Sequence, residues 1–309
     1  MRLKYNPATD IPDLTGKVIL VTGGTAGIGK EAILVFAKHN PQRLYFSGRN
    51  AEQAAQIIAE IKSTSPSVDV VFLECDLTSL PSVEKAAKLV VSQTDRLDIL
   101  ICNAGVMNVP PALTKEGYEV HFGINHVSHA LFIKLLLPTL LRTAEVPGSD
   151  VRIVSLTSRG FTMHPSGGIV FSDLRTTQGS GLVKTFRYGQ SKLANILYAS
   201  ELARRYPPDH LCLHSPRRRS NKPAQYTDRL RPSIIVDERG IVSAHSRTGR
   251  LQFVVGCYSR QNEDREWRVL RACWNPPEAM RANRGTRSWR NSCGNGPRKS
   301  WSAIIFEHF

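Results

Sequence analysis

Residues 17–37 read KVILVTGGTAGIGKEAILVFA, and this stretch decides the fold. Lys17–Thr22 is a short apolar run rich in valine and isoleucine, which reads as a buried strand. Gly23, Gly27 and Gly29 follow, with Gly24 beside the first, and Lys30–Lys38 then has helical spacing. A strand, a glycine turn and a helix form the first unit of a dinucleotide-binding fold. Glycine tolerates positive φ in the tight turn, and its missing side chain lets the backbone approach a pyrophosphate. The free N–H groups and the positive end of the helix then receive that anion. An ordinary strand-to-helix turn is the plainer reading, but the strand before and the helix after both favour cofactor binding.

Working outward, 309 residues allow one large domain or two small ones, and 41% hydrophobic content is enough to bury a core. Met1–Asp10 carries no apolar leader, and no early cysteine pairing is seen, so a reducing, cytoplasmic setting is expected. The most apolar run, Ala130–Leu141, contains Lys134 and Pro138 and is too short to span a bilayer, so a core helix is expected there.

The formal charge of +15 is unevenly spread. Residues 1–206 hold 22 Lys and Arg against 17 Asp and Glu, whereas residues 207–309 hold 19 against 9. All four tryptophans and four of the six cysteines also lie in that last third, where Arg outnumbers Lys 17 to 2. The chain therefore divides into residues 1–207, a cofactor-binding domain, and 208–309, an anomalous tail.

The first part continues as alternating strands and helices. Strands are expected at Arg43–Ser47, Val68–Glu74, Leu97–Cys102 and Val151–Leu156. Helices are expected at Ala51–Lys62, Pro81–Val91 and Tyr118–Leu141, with a last one from Ser191 to Arg204. After the second strand, an NAD enzyme usually places an acid for the ribose 2′-OH. Here Gly48 leaves room and Arg49 offers a fork-shaped cation suited to a 2′-phosphate, which favours NADP; Lys30 adds to the same positive field. A solvated loop arginine is the alternative.

Thr22–Gly29 resembles the TGxxxGIG loop of the short-chain dehydrogenase/reductase family, and further motifs match in order. Asn103-Ala104-Gly105 is similar to that family's NAG turn, Ser158 follows the fifth strand, and Tyr188-Gly189-Gln190-Ser191-Lys192 is its YxxxK pattern. Tyr188 and Lys192 are one helical turn apart on one face. A tyrosine near pKa 10 is a poor acid–base group at neutral pH, and a nearby ammonium favours the tyrosinate.

The resemblance implies a Rossmann-type doubly wound parallel α/β sheet, incomplete here at the C-terminus. It implies Ser158, Tyr188, Lys192 and Asn125 as catalytic residues, with Asn125 holding a water in the proton relay. It implies Gly23, Thr25, Gly27, Ile28, Gly29, Arg49, Asp76, Asn103, Gly105, Lys134, Tyr188 and Lys192 around the NADP cofactor. Asp76 would bond the adenine amino group, although capping the helix at 81–91 is its alternative, a task open also to Thr78 or Ser79. A helix-kinking asparagine and a snorkelling surface lysine are the alternatives for Asn125 and Lys134. His121, His126 and His129 read as packing or surface residues, since no acid or cysteine cluster accompanies them, and no metal is expected.

The reaction implied is hydride transfer between a ketone or aldehyde and an alcohol, acting on a small-molecule carbonyl or alcohol substrate. Homodimers or homotetramers are common in the family. The long Ser158–Tyr188 gap, with Phe171–Arg175, resembles the retinol-dehydrogenase-like and protochlorophyllide-reductase-like subgroup, frequent in filamentous fungi, where a secondary-metabolic role is open.

After Tyr206 the family pattern calls for a sixth strand and a Pro-Gly turn, but the chain has Ser215–Pro223, SPRRRSNKP. A nucleic-acid-binding arm is the weaker reading. Plausible codons for that stretch, read one nucleotide later, give HPGVVPTNL, which resembles the missing turn. Val254–Trp274 and Ser292–Trp301 likewise yield family-like peptides when shifted. The tail is therefore expected to be read out of frame, with short helices at most and little order. A catalytically dead NADP-binding remnant, lacking its substrate lid, is the alternative function.

Overall fold

The computed structural model describes residues 6–178, 184–206, 234–236, 242–244 and 252–258. Its centre is β1 (Val18–Val21), buried at all four positions. Alternate side chains serve opposite faces of a strand. Val18 and Leu20 join one core with Tyr45, Leu100 and Ile153; Ile19 and Val21 join the other with Leu44, Phe46 and Ile101. A strand covered on both faces needs a continuous apolar run, which VILV supplies.

β2 (Arg43–Gly48) and β4 (Ile99–Cys102) flank β1, β3 (Asp69–Glu74) lies outside β2, and β5 (Arg152–Ser158) lies outside β4. All these pairings are parallel, with Val18 opposite Arg43 and Ile19 opposite Ile99. The strand order reverses at β1, so a crevice opens beyond its C-terminal end between β2 and β4. α2 (Gly27–Ala37) and α3 (Ala51–Thr64) cover one face, following the short α1 (Pro7–Asp10). α4 (Leu80–Gln93), α6 (Ser128–Glu145) and α7 (Lys184–Arg205) cover the other.

Local signals explain the boundaries. Asn50 caps α3 by accepting from the Gln53 N–H at 2.9 Å, and Ser79 caps α4 ahead of Pro81. At the opposite end from the crevice, buried Asp98 accepts from the Val18 N–H, Lys17 and Arg96. Burial pushes its pKa up, but those three donors outweigh it and hold the carboxyl below its usual range.

The structure differs from expectation in four places. α7 begins at Lys184, seven residues before the expected Ser191, so Tyr188 lies within it. α2 begins at Gly27, three residues before the expected Lys30. The helix expected from Tyr118 starts instead at Val120, because Glu119 pairs with Leu113 in a β-bridge and caps the Phe122 N–H with its carboxylate. It then runs as α5 (Val120–Phe122), a wide π turn at Gly123–Val127, and α6 to Glu145. This 26-residue helix is long and apolar enough to cross a membrane, unlike the run 130–141 alone, but 72% of its most apolar window is buried within the fold.

The fourth difference lies beyond residue 207, where short helices at most were expected. β6 (Ile234–Val236), β7 (Val242–Ala244) and β8 (Gln252–Tyr258) are strands. β8 runs parallel to β5 from Gln252 opposite Arg152 to Tyr258 opposite Ser158. β7 and β6 then add antiparallel. The open edge of β5 needs backbone partners, and QFVVGCY is rich in the β-branched and aromatic residues that favour strands. Ser215–Pro223, Ser292–Trp301 and the part of the 254–274 segment after Tyr258 lie outside the described residues.

Candidate active site

The glycine turn occupies the crevice. Gly23 has φ +69° and Gly27 φ +56°, the left-handed region that disfavours a side chain. A Cβ on Gly29 would lie 2.2 Å from the Gly23 carbonyl oxygen and 2.6 Å from Asn103 Nδ2. That position therefore admits glycine alone without moving backbone. No side chain caps the first turn of α2 at Ala26, leaving its N–H groups to face the crevice. Thr25 rests against Gly48, and exposed Arg49 follows at the end of β2.

The NAG turn is tied to this loop. Asn103 Nδ2 donates to the Thr22 carbonyl at 2.8 Å, and the Asn103 and Ala104 N–H groups donate to Thr22 Oγ1 at 2.9 and 3.0 Å. Gly105 sits where a Cβ would reach Asn125 Oδ1 at 3.0 Å and Lys192 Nζ at 3.5 Å. Asn125, fully buried, grips the next residue: Oδ1 accepts from the Val106 N–H at 2.8 Å, and Nδ2 donates to Val106 O and to Ser191 Oγ, both at 3.0 Å. Its side chain is thus committed to protein partners.

α7 brings the Tyr–Lys pair to the same place. Lys192 Nζ lies 5.7 Å from the Tyr188 ring centroid and donates to the Leu156 carbonyl at 3.0 Å. Thr157 Oγ1 donates to the Lys192 carbonyl, and Asn195 Nδ2 donates to Leu156 O, so α7 is pinned to the end of β5. Ser158 ends β5, and its Oγ accepts from the Gly160 N–H at 3.1 Å. Gly160 in turn touches the Tyr188 ring: a Cβ there would come 2.8 Å from Cε1. Ile28, Asn103, Gly105, Val106, Met107, Leu156, Thr157, Tyr188 and Lys192 line one cleft of about 140 Å³.

Other expected site residues are placed differently. Asp76 lies just past the end of β3, where Thr78 donates to both its oxygens and Lys115 pairs with it at 3.2 Å. Burial works against its charge, yet these donors hold its pKa below the ordinary value. Lys134 is exposed on α6, about 14 Å along the helix from Asn125, and the structure does not bring it to the cleft. The three histidines are all buried and hold protein partners: His121 faces Glu119, His126 faces Asn195, and His129 faces Thr22 and the Asn125 carbonyl.

Sequence reasoning missed Val106, Met107, Leu156 and Thr157 on the cleft wall, and Thr22, Ser191 and Asn195 beneath it. Their adjacency to the recognised motifs was the available signal. It also missed the buried Arg187, 3.4 Å from Glu119, which ties the start of α7 to the segment before Asn125.

A parallel Rossmann-type sheet, a glycine loop at its switch point and this cleft define a dinucleotide-binding α/β fold. The family model for short chain dehydrogenases matches residues 17–210, and the chain belongs to that family. It is 46% identical over 199 residues to an uncharacterised oxidoreductase of Schizosaccharomyces pombe, covering 63% of this chain and 58% of the relative. It is 39% identical to a short-chain dehydrogenase/reductase of Armillaria gallica, covering 67% and 65%, and 36% identical to retinol dehydrogenase 12 of Mus musculus, covering 62% and 57%. The chain thus spans less than two thirds of the length of each of these relatives. A crystal structure from Mycobacterium paratuberculosis aligns with TM-score 0.52 and 30% identity over 64% of this chain and 65% of that one.

Proposed function

We propose that the chain encodes an NADP-dependent oxidoreductase that interconverts a ketone or aldehyde and an alcohol. The observation that carries this reading is the Tyr188–Lys192 pair lining the same cleft as Ile28 of the glycine loop and Asn103 and Gly105 of the NAG turn. The glycine cradle, the uncapped start of α2 and the space at Gly29 suit a dinucleotide pyrophosphate. Bound NADP(H) supplies or accepts the hydride.

The protein's part follows from its own groups. In the reducing direction the Tyr188 hydroxyl delivers a proton to the substrate oxygen, and the Lys192 ammonium stabilises the tyrosinate left behind. The Ser158 hydroxyl donates a hydrogen bond to the same oxygen. Lys192 also reaches the ribose hydroxyls. Arg49 receives the 2′-phosphate. Val106, Met107 and Leu156 offer apolar surface on the cleft wall, which suits an apolar alcohol; one relative is by name a retinol dehydrogenase.

The test is NADPH oxidation by the full chain with a panel of aldehydes and ketones, alongside Tyr188→Phe. Turnover is expected to fall by roughly 10²–10⁴ in the variant, with NADPH affinity unchanged. Equal turnover by both proteins would remove Tyr188 from the chemistry.

A second reading, a cofactor-binding chain without turnover, is supported by the family match stopping at residue 210. That end point lies close to the 208 boundary and also supports a reading-frame shift there. NADPH binding without turnover by the wild type would favour this reading. A transcript sequence across codons 200–309 that restores HPGVV would assign the activity to the corrected protein.

A further inference from the structure

The Thr22 hydroxyl, just before the glycine loop, is completely buried and sits among four neighbours. It accepts from the Asn103 and Ala104 N–H groups, which uses both lone pairs. Its single proton has two candidate acceptors, His129 Nε2 at 2.9 Å and the Ile101 carbonyl at 3.4 Å. The shorter contact is the better bond. It requires Nε2 to be unprotonated.

The other side of the ring reaches the same answer independently. His129 Nδ1 lies 3.1 Å from the Asn125 carbonyl, which can only accept, so Nδ1 carries the proton. Asn125 Oδ1 then accepts from Val106, the residue after the NAG turn. The bonds close into a ring running from Thr22 through Asn103 and Ala104 to Val106, on to Asn125, and back through His129 to Thr22. It underlies Asn103, Gly105 and Val106 on the cleft wall. The wide turn at Gly123–Val127, where the Ser128 N–H reaches back to the Gly123 carbonyl, carries Asn125 in this ring.

We propose that His129, fixed as the Nδ1–H tautomer, is a positioning residue: it locks the Thr22 hydroxyl to the Asn125 carbonyl and so holds the cofactor-facing NAG turn at both ends. Burial first, and then repulsion from Lys192 of α7, keeps the imidazole neutral, with its pKa lowered to about 4. A protonated ring would present an Nε2–H to an oxygen already accepting two hydrogen bonds. The inference rests on the proposed function only for its cofactor half.

The test has two arms, both on the full chain. Nitrogen-15 NMR of histidine-labelled protein, with His129 assigned by its loss in His129→Gln, reads the tautomer without cofactor or activity. A protonated Nδ1 and a bare Nε2, unchanged from pH 8 to pH 6, are expected; an Nε2–H tautomer or a charged ring would overturn the inference.

The second arm measures NADPH binding by fluorescence. His129→Phe removes both bonds at similar volume, and NADPH binding is expected to weaken about 3- to 10-fold. His129→Gln returns an acceptor toward Thr22 and is expected to recover part of that loss. Should His129→Phe not fold, Thr22→Val against Thr22→Ser supplies the same comparison. Unaltered binding in both deleting variants refutes the positioning role. A wild type that binds no NADPH overturns the proposed function and with it the cofactor half, leaving the tautomer arm to decide the ring itself.

Discussion

Acidification from pH 7 to pH 5 is expected to destabilise the fold steeply, and two histidines cause it. His126 and His129 sit beneath the sheet's C-terminal ends, and burial first, then repulsion from Lys192 and, for His126, from His129 ahead of it, lowers each pKa from 6.5 to about 4; hydrogen bonds to Asn195 and the Asn125 backbone only partly offset this. Between those values the unfolded chain binds protons that the folded chain refuses, so stability rises with pH through this window and falls on acidification. Each ring costs the folded state about 2 kcal/mol at pH 5 relative to pH 7, roughly 4 kcal/mol together. That is a large share of the 5–15 kcal/mol typical of a domain. Asp76, Asp98 and Glu201 are held below their ordinary values of 3.8, 3.8 and 4.5, so their stabilisation is lost only under more acid conditions. Urea unfolding followed by circular dichroism at pH 7, 6 and 5 measures the effect, and His129→Gln should flatten the profile by about half. A flat profile in the wild type, or an unchanged slope in the variant, would refute the reasoning.

Gly29→Ala places a methyl group 2.2 Å from the Gly23 carbonyl, and backbone cannot yield cheaply; NADPH binding should be lost in a calorimetric titration while the other folded features persist. Asp98→Ala leaves the buried Val18 N–H without this acceptor and removes the partner of the partly exposed Lys17 and Arg96, and should cost about 1–3 kcal/mol in chemical denaturation. Because Asp98 lies at the far end of the sheet, NADPH affinity of the folded variant should not change. Arg49→Ala should weaken NADPH but not NADH binding, by about 10-fold or more; equal losses for both cofactors would remove Arg49 from 2′-phosphate recognition.

Much of the first two hundred residues was legible because local and global signals agree there. VILV reads as a strand buried on both faces, the glycine turn requires positive φ, and Asn50 and Ser79 cap helices where the periodicity begins. The helix boundaries at Gly27 and Val120 were less legible. The first depends on Gly27 opening the helix from a left-handed φ of +56°, which glycine tolerates, and the second on Glu119 spending its carboxylate on a neighbouring N–H.

The sequence by itself determined which segments form β1 to β5, the cofactor loop and the Tyr188–Lys192 spacing, since each rests on residues near in the chain. Tertiary structure alone decided that Asn125 would grip Val106 and Ser191, that His129 would bridge Thr22 and Asn125, and that Lys134 would remain outside the cleft. These pairings join residues up to 107 positions apart, as between Thr22 and His129. The periodicity of one helix records which face is apolar, but not which hydroxyl or carbonyl a distant strand will bring against it. Past residue 207 the order of roles reverses: the tail's composition breaks with the rest of the chain, and only the fold shows that the open edge of β5 is paired by Gln252–Tyr258, because an unpaired strand edge accepts any segment able to extend beside it.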